Sequence, residues 1–174
     1  AGQYAGAKSS ERCEPCPKGT FADNEESLSC RQCEPGKYAK NTTLCESCPA
    51  GRFSAILGAS HLNNCSFCSN GSYCEEGATF EKPCLPSTYG NATGLATSKC
   101  SGPCPAGHAC VAQTVQPVAC AVGTYSDLEQ TQCKACPKGR YASLTGTPKC
   151  KTCVSGTVSA QRAAECRVCE PGFY

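Results

Sequence analysis

The chain has 174 residues and a formal net charge of +2, with 20 cysteines, no Trp, no Met and only 5 Phe. Large apolar side chains for one globular core are therefore scarce, and a cysteine content this high is typical of a scaffold held by disulfides. The near-neutral charge indicates no strong partner by itself, and no stretch is apolar enough to span a bilayer.

The first twelve residues precede the first cysteine and are predicted to form an N-terminal lead-in segment. From Cys13 onward, two kinds of cysteine alternate. An opener begins the pattern C-x-x-G-x-(aromatic), and a closer ends the stretch that follows it. The openers are Cys16, Cys33, Cys48, Cys68, Cys84, Cys104, Cys120, Cys136, Cys153 and Cys169. They recur about every 17 residues, which indicates an array of one small repeat.

Three segments of the array follow in order: regular repeats over 13–67, divergent repeats over 68–119, and regular repeats over 120–174, of which the last is truncated. Glycine stands three residues after every opener except where Ser87 replaces it, and an aromatic stands five residues after it except at Ala109 and Val158. Glycine supplies a positive φ or room for close backbone approach. The aromatic is predicted to cover the disulfide.

Secondary structure is predicted to be sparse. The fold class is a small disulfide-rich repeat array of turns and short strands in an elongated rod. Strands of a few residues are expected around the aromatics, for example over 52–54 and 124–126, and a brief helix over 160–164. Few contacts are expected beyond neighbouring repeats, as in other repeat arrays.

The cysteine spacing alone permits many connectivities, and the repeat favours a serial disulfide frame in which each opener pairs with the next closer. Its pairs are Cys16–Cys30, Cys33–Cys45, Cys48–Cys65, Cys68–Cys74, Cys84–Cys100, Cys104–Cys110, Cys120–Cys133, Cys136–Cys150 and Cys153–Cys166. Cys13 and Cys169 are left over, so we expect their partners outside this segment, in a longer array. A frame that interleaves neighbouring C-x-x-C pairs is the alternative.

The compartment is predicted to be extracellular, reached through the secretory pathway. Disulfides in this number do not persist in a reducing cytosol. Four asparagines lie in N-x-Ser/Thr sequons and are predicted to carry N-glycans: Asn41, Asn64, Asn70 and Asn91. Asn64 is the weakest acceptor of the four, because the middle residue of its sequon is Cys65.

Zinc is the main alternative for the cysteines, since C-x-x-C pairs are also typical of zinc ribbons. It is disfavoured because Cys74, Cys84, Cys110 and Cys120 lie outside any C-x-x-C pair. No catalytic residue, metal ligand or cofactor is predicted, and the chain is not expected to be an enzyme.

A run of basic residues is the one charge feature that suggests a contact. Lys134, Lys138, Arg140, Lys149 and Lys151 follow one another with no acid between them. They are a candidate surface for an anionic glycan or an acidic neighbour, and ordinary surface lysines are the alternative.

The repeat itself resembles a known family. Segments such as Cys16-Pro17-Lys18-Gly19-Thr20-Phe21 and Cys48-Pro49-Ala50-Gly51-Arg52-Phe53-Ser54 are similar to the ephrin-receptor-like cysteine-rich repeat, also called GCC2/GCC3. The opening loop also resembles the first module of tumour-necrosis-factor-receptor cysteine-rich domains. The resemblance implies an extracellular protein and supplies no catalytic residue.

Two functions are consistent with these observations. The first is a structural, spacer or assembly module of a large glycosylated cell-surface or filament protein, such as a flagellar-hair-type protein. Its partners are then other parts of the same protein or neighbouring subunits, with no nucleic acid and no membrane insertion within this segment. The second is the ligand-binding ectodomain of a cell-surface receptor.

Overall fold

A computed structural model describes residues 1–6, 12–24, 27–170 and 172. Its strands form ten two-stranded sheets, each built from two strands that are consecutive in the chain. The pairs are β1 Gln3–Tyr4 with β2 Glu14–Pro15, β3 Thr20–Phe21 with β4 Arg31–Gln32, β5 Lys37–Ala39 with β6 Cys45–Ser47, β7 Arg52–Phe53 with β8 Ser66–Phe67, β9 Ser72–Tyr73 with β10 Lys82–Pro83, β11 Thr88–Tyr89 with β12 Gly102–Pro103, β13 His108–Ala109 with β14 Val118–Ala119, β15 Thr124–Tyr125 with β16 Lys134–Ala135, β17 Arg140–Tyr141 with β18 Lys151–Thr152, and β19 Thr157–Val158 with β20 Arg167–Val168. The predicted fold class, a disulfide-rich repeat fold with little regular secondary structure, is confirmed.

Within the described residues, the chain forms one helical element, a short 3-10 helix at Leu62–Asn64. The helix predicted over 160–164 is absent, and turns and a bridge occupy those residues instead. Arg162 has φ +63, which a right-handed helix does not accommodate, and its amide donates to the Cys136 carbonyl of the preceding repeat.

The first strand of each hairpin follows a tight turn made by the opener segment. In one example the Thr20 amide donates to the Pro17 carbonyl at 3.1 Å, and Gly19 between them has φ +83. A glycine with positive φ at this place is the arrangement of a type II turn. The Thr20 hydroxyl donates to the same carbonyl at 2.7 Å. This explains why Thr precedes the aromatic in several repeats.

Cystines and small side chains form the buried interior. Seven openers are fully buried: Cys33, Cys48, Cys68, Cys84, Cys104, Cys120 and Cys136. Large hydrophobics such as Leu144 and Val168 remain exposed, as expected of a chain whose crosslinks replace an apolar core. Tyr125 packs against the cluster of Cys136, Ala142 and Cys150, so this aromatic covers the disulfide of the following repeat.

The chain divides into two compact bodies. The first body comprises residues 1–82 and 92–98, and the second body comprises residues 83–91 and 99–174. The segment 68–119, whose repeats diverge in sequence, contributes residues to both. Each body contains consecutive hairpins with their own disulfides.

Candidate functional site: the repeat junction and a basic face

Successive repeats are joined by a backbone hydrogen bond from the recurring glycine position. Its amide donates to the carbonyl of the residue that follows the aromatic position of the next repeat. In the first body Gly36 donates to Ser54 at 2.7 Å, and in the second body Gly107 donates to Ser126 at 2.8 Å. The same bond recurs at further junctions inside each body, so the repeats are joined by backbone groups whose geometry does not depend on side-chain identity.

A second recurring bond comes from a loop residue nine or ten positions after the opener of its repeat. Its amide donates to the carbonyl of the opener of the preceding repeat. The donors are Gly58, Gly77 and Gly94 in the first body, and Gln113, Glu129, Gly146 and Arg162 in the second body. All seven have φ between +61 and +73. The sequence pattern did not reveal this position, because only four of the seven residues are glycine.

A third contact joins repeats that are two apart. The carbonyl of the loop residue lies so close to an opener-segment glycine that no side chain fits between them. A Cβ added to Gly51 would lie 3.0 Å from the Gly94 carbonyl carbon, and one added to Gly107 would lie 2.6 Å from that of Gly146. The expectation that few contacts pass beyond neighbouring repeats is therefore wrong. The loops of Gly58, Gly77, Gly94, Gly146 and Arg162 each span a junction and reach the repeat before the preceding one.

The three positions that break the sequence pattern keep the same backbone. Ser87 has φ +71, and its amide donates to the Cys110 carbonyl at 3.0 Å. Ala109 pairs with Val118, and Val158 pairs with Arg167. The junction therefore tolerates these substitutions, because its bonds come from the main chain.

The segment assigned to a lead-in carries the same backbone features. Gly2 has φ +81, its amide donates to the Ala22 carbonyl at 2.8 Å, and its carbonyl accepts from the Cys16 amide at 3.0 Å. Tyr4 pairs with Glu14 as the aromatics of later repeats pair with their partner strands. Residues 2–6 and 12–15 thus belong to a hairpin of the repeat type, with Gly2 and Tyr4 in the glycine and aromatic positions.

The structure contains nine disulfides, and they are the nine pairs of the serial frame: Cys16–Cys30, Cys33–Cys45, Cys48–Cys65, Cys68–Cys74, Cys84–Cys100, Cys104–Cys110, Cys120–Cys133, Cys136–Cys150 and Cys153–Cys166. Their Cα–Cα distances lie between 5.6 and 6.2 Å, within the usual range for a disulfide. Cys13 is exposed and Cys169 half-buried, and both are free thiols.

The five basic residues predicted as an anion surface lie in the second body, and all are exposed. Lys134 and Lys151 occupy equivalent positions, two residues before an opener, where they pair with Tyr125 and Tyr141. Arg140 pairs with Thr152. It therefore lies on the opposite face of its hairpin from Lys151, because successive side chains alternate. Lys138 lies in a turn and Lys149 in a bend. Of the five residues, Lys134 and Lys151 therefore occupy the same position in consecutive hairpins, and the other three do not share that position.

Two further exposed cations of the second body were not predicted from the sequence, because they lie beyond the run from Lys134 to Lys151. Arg167 occupies the position of Lys134 and Lys151 in the next repeat, across from Val158, and Arg162 is the exposed loop donor described above. For Arg167 the available signal was its place two residues before an opener.

The two bodies differ in how their charges are balanced. The second body holds eight Lys and Arg against four carboxylates, and the first holds eight against ten. All the ion pairs found among the described residues lie in the first body: Arg31–Asp23, Lys37–Glu34, Lys40–Glu46 and Lys82–Glu75. The cations of the second body thus point to solvent without a carboxylate partner in the part of the chain that the structure describes.

Glu46 shows how a cation is neutralised in the first body. It accepts from the Lys40 ammonium at 2.5 Å and from the Tyr38 hydroxyl at 3.0 Å. These hydrogen bonds, that from Lys40 first, lower the pKa of the Glu46 carboxyl. In return, the hydrogen bond to Glu46 raises the pKa of Lys40. A cation held in this way is less available to an external anion.

Of the sequon asparagines, Asn41, Asn70 and Asn91 are exposed and Asn64 is half-buried. The Asn41 Oδ1 accepts from the Thr43 hydroxyl at 2.7 Å and from the Thr43 and Leu44 amides at 2.9 Å. The Asn64 Oδ1 accepts from the Ser60 and His61 amides, both at 3.1 Å, at the start of the 3-10 helix. The side-chain oxygens of Asn41 and Asn64 thus both hold local backbone, and Asn64 differs from the other three in being half-buried.

Over the described ranges, no group of three or more His, Cys, Asp or Glu side chains is arranged to hold a metal ion. Within the same residues, no helix has both the length and the apolar character needed to cross a membrane.

Comparison with known proteins agrees with the motifs. A family model described as tyrosine-protein kinase ephrin type A/B receptor-like matches residues 2–43 and 123–165, one segment in each body. A rat protein (Rattus norvegicus) named sushi, von Willebrand factor type A, EGF and pentraxin domain-containing protein 1 is 27% identical over 145 residues, with 79% of this chain covered. The chain spans 4% of that protein's length. The predicted resemblance to the ephrin-receptor-like repeat is thus confirmed over these two segments, and the chain is a cysteine-rich repeat array of extracellular type that is similar to that family.

Proposed function

We propose that the chain is a structural spacer or assembly module of a large, glycosylated extracellular protein, at a cell surface or in a filament. The observation that carries the proposal is the repetition of the same three junction contacts from one repeat to the next within each body. Its partners are the neighbouring parts of the same protein or adjacent subunits of an extracellular assembly.

The junction chemistry suits a load-bearing role. The repeats opened by Cys16 to Cys153 are each closed by their own disulfide, which limits how far a stretched repeat extends. Main-chain hydrogen bonds and a close glycine–carbonyl contact fix its neighbours, so the junction repeats whatever the surface residues are. Stability in such arrays is approximately a sum of repeat and interface contributions, and their length changes by adding repeats without redesigning a core.

The relative supports a modular setting. It is a long protein named for several other kinds of domain, and this chain matches only 4% of it. A segment of this size within a long multidomain protein is compatible with a spacer between other domains. A receptor ectodomain is the alternative, and the unpaired cations of the second body are the feature in its favour.

Small-angle X-ray scattering of the secreted, oxidised chain tests the spacer role. A compact globule of this length has a radius of gyration of about 16 Å, and the unfolded chain about 44 Å. A spacer must be longer than the globule, so we expect a value well above 16 Å, with an ordered scattering profile. The reduced and alkylated chain, expected near the unfolded value, is the control. A radius near 16 Å for the oxidised chain would overturn the proposal.

A further inference from the structure

We propose that one face of the second body binds a linear sulfated polysaccharide through Lys134, Lys151 and Arg167. We call these three residues the basic row. The proposal goes beyond the spacer role, because it gives this body an external ligand. It rests on the register of the hairpins and on the balance of charge around them.

The basic row follows the repeat. Each member stands two residues before an opener, at Cys136, Cys153 and Cys169. Each is directly across from the aromatic position of its hairpin, occupied by Tyr125, Tyr141 and Val158. Side chains directly opposite in an antiparallel pair share one face. The three cations therefore lie on the equivalent face of three consecutive hairpins, and their spacing is set by the repeat.

The charge of the row is not neutralised from within. No Asp or Glu occurs between residues 130 and 164, and Lys134, Lys151 and Arg167 are all exposed. Three of the five equivalent positions in the first body instead hold one partner of an ion pair. Arg31 pairs with Asp23, Glu46 with Lys40, and Lys82 with Glu75. The charges at these three positions are neutralised within the body, whereas those of the basic row are open.

Cations that recur along one face match a ligand whose negative charges also recur. A linear sulfated polysaccharide has this property and engages exposed Lys and Arg mainly through electrostatic attraction, which is salt-dependent. The guanidinium of Arg167 presents a planar fork of donors suited to oxyanions. A protein partner would instead need a desolvated apolar centre, and of the three residues across from the row only Val158 is an exposed apolar side chain.

Titration of a heparin-derived dodecasaccharide into the full chain tests the proposal, by calorimetry at physiological salt. Replacing the row with Lys134→Ser, Lys151→Ser and Arg167→Ser should weaken binding more than tenfold. The slope of log affinity against log salt should become shallower by about one for each cation of the row that is removed, by analogy with other polyanions. The charge-conserving variant Lys134→Arg, Lys151→Arg and Arg167→Lys should retain most of the affinity.

The matched control removes the same charge from the same body outside the row: Lys138→Ser, Arg140→Ser and Lys149→Ser. This triple variant should weaken binding by no more than about threefold. An equal loss in both triples would overturn the row in favour of a general charge effect. No binding by the unmodified chain, or tighter binding of poly-glutamate than of the dodecasaccharide, would overturn the polysaccharide assignment.

Discussion

A substitution at Gly107 tests the contact between second-neighbour repeats. Gly107 has φ +81, and a Cβ there would lie 2.6 Å from the Gly146 carbonyl carbon and nearer still to its oxygen. Gly107→Ala therefore imposes two costs. A left-handed alanine costs roughly 1–2 kcal/mol, and the backbone displacement needed to admit the methyl group adds about 1–3 kcal/mol, as in an overpacked core.

Gly139→Ala separates the two costs. Gly139 has φ +75 and occupies the same position of a later repeat, but nothing among the described residues lies within 4 Å of an added Cβ. This variant incurs the conformational cost alone. The difference between the two variants, about 1–3 kcal/mol, is the contribution of the repeat contact.

Native-state hydrogen exchange provides the local readout. The Gly146 amide donates to the Cys120 carbonyl at 2.8 Å, and the Cys120 amide to the Gly107 carbonyl at 2.8 Å. Disruption of the repeat contact in Gly107→Ala should speed exchange at both amides about 5- to 150-fold, since each 1.4 kcal/mol is a factor of ten. Gly139→Ala should leave Gly146 unchanged. Equal exchange at Gly146 in both variants would refute the contact. If the Gly107 variant is not secreted, Gly51→Ala tests the same contact in the first body. A Cβ added to Gly51 would lie 3.0 Å from the Gly94 carbonyl carbon.

Three further predictions concern single residues. Because its hydrogen bonds favour the charged form, the Glu46 carboxyl should titrate below its ordinary value of 4.5; the stability it contributes is fully present above pH 4.5 and lost as the pH falls through the folded value. NMR titration should show the Glu46 pKa rising in Lys40→Ser, and a midpoint at or above 4.5 in the unmodified chain would contradict this. Glycopeptide mass spectrometry should find glycans at the exposed Asn41, Asn70 and Asn91 and least at the half-buried Asn64; Asn64 as the most occupied site would argue against the structural distinction. Ser87→Gly should stabilise the chain by at most about 1 kcal/mol, because relief of left-handed strain is partly offset by glycine's larger unfolded-state entropy; measurable destabilisation in urea unfolding would show that the Ser87 side chain has a role of its own.

The parts of the fold that depend on local chemistry were predictable from the sequence. The strands expected at 52–54 and 124–126 are present as Arg52–Phe53 and Thr124–Tyr125. The glycine position has both properties expected of it, since Gly107 has φ +81 and meets a carbonyl at close range. Turn chemistry and β-propensity act within a few residues, so their pattern is visible in the chain itself.

The junction was not predictable in the same way. The second positive-φ position is hidden because Gln113, Glu129 and Arg162 occupy it in place of glycine, and their amides are held by the opener of the preceding repeat. These contacts between repeats override the preference of non-glycine residues for negative φ. Contacts between second neighbours depend on the angle and rise between repeats, which no residue pattern expresses. Arg162 also removed the predicted helix, because the position it occupies requires a left-handed backbone.

The basic row was likewise only partly predictable from the sequence. Lys134 and Lys151 were identified because they lie in a run without acids. Arg140 belongs to that run in sequence, but its register places it on the other face. Arg167 lies outside the run, yet occupies the equivalent position. All three residues of the row stand two positions before an opener, and this shared place in the repeat identifies them where nearness along the chain does not.

Non-reducing peptide mapping of the chain, secreted from eukaryotic cells and alkylated before digestion, tests directly whether each opener from Cys16 to Cys153 pairs with the next closer. We expect the nine serial pairs found in the structure, with alkylation confined to Cys13 and Cys169 and no bound zinc. Pairs that interleave neighbouring C-x-x-C cysteines, or additional free thiols accompanied by bound zinc, would contradict this expectation.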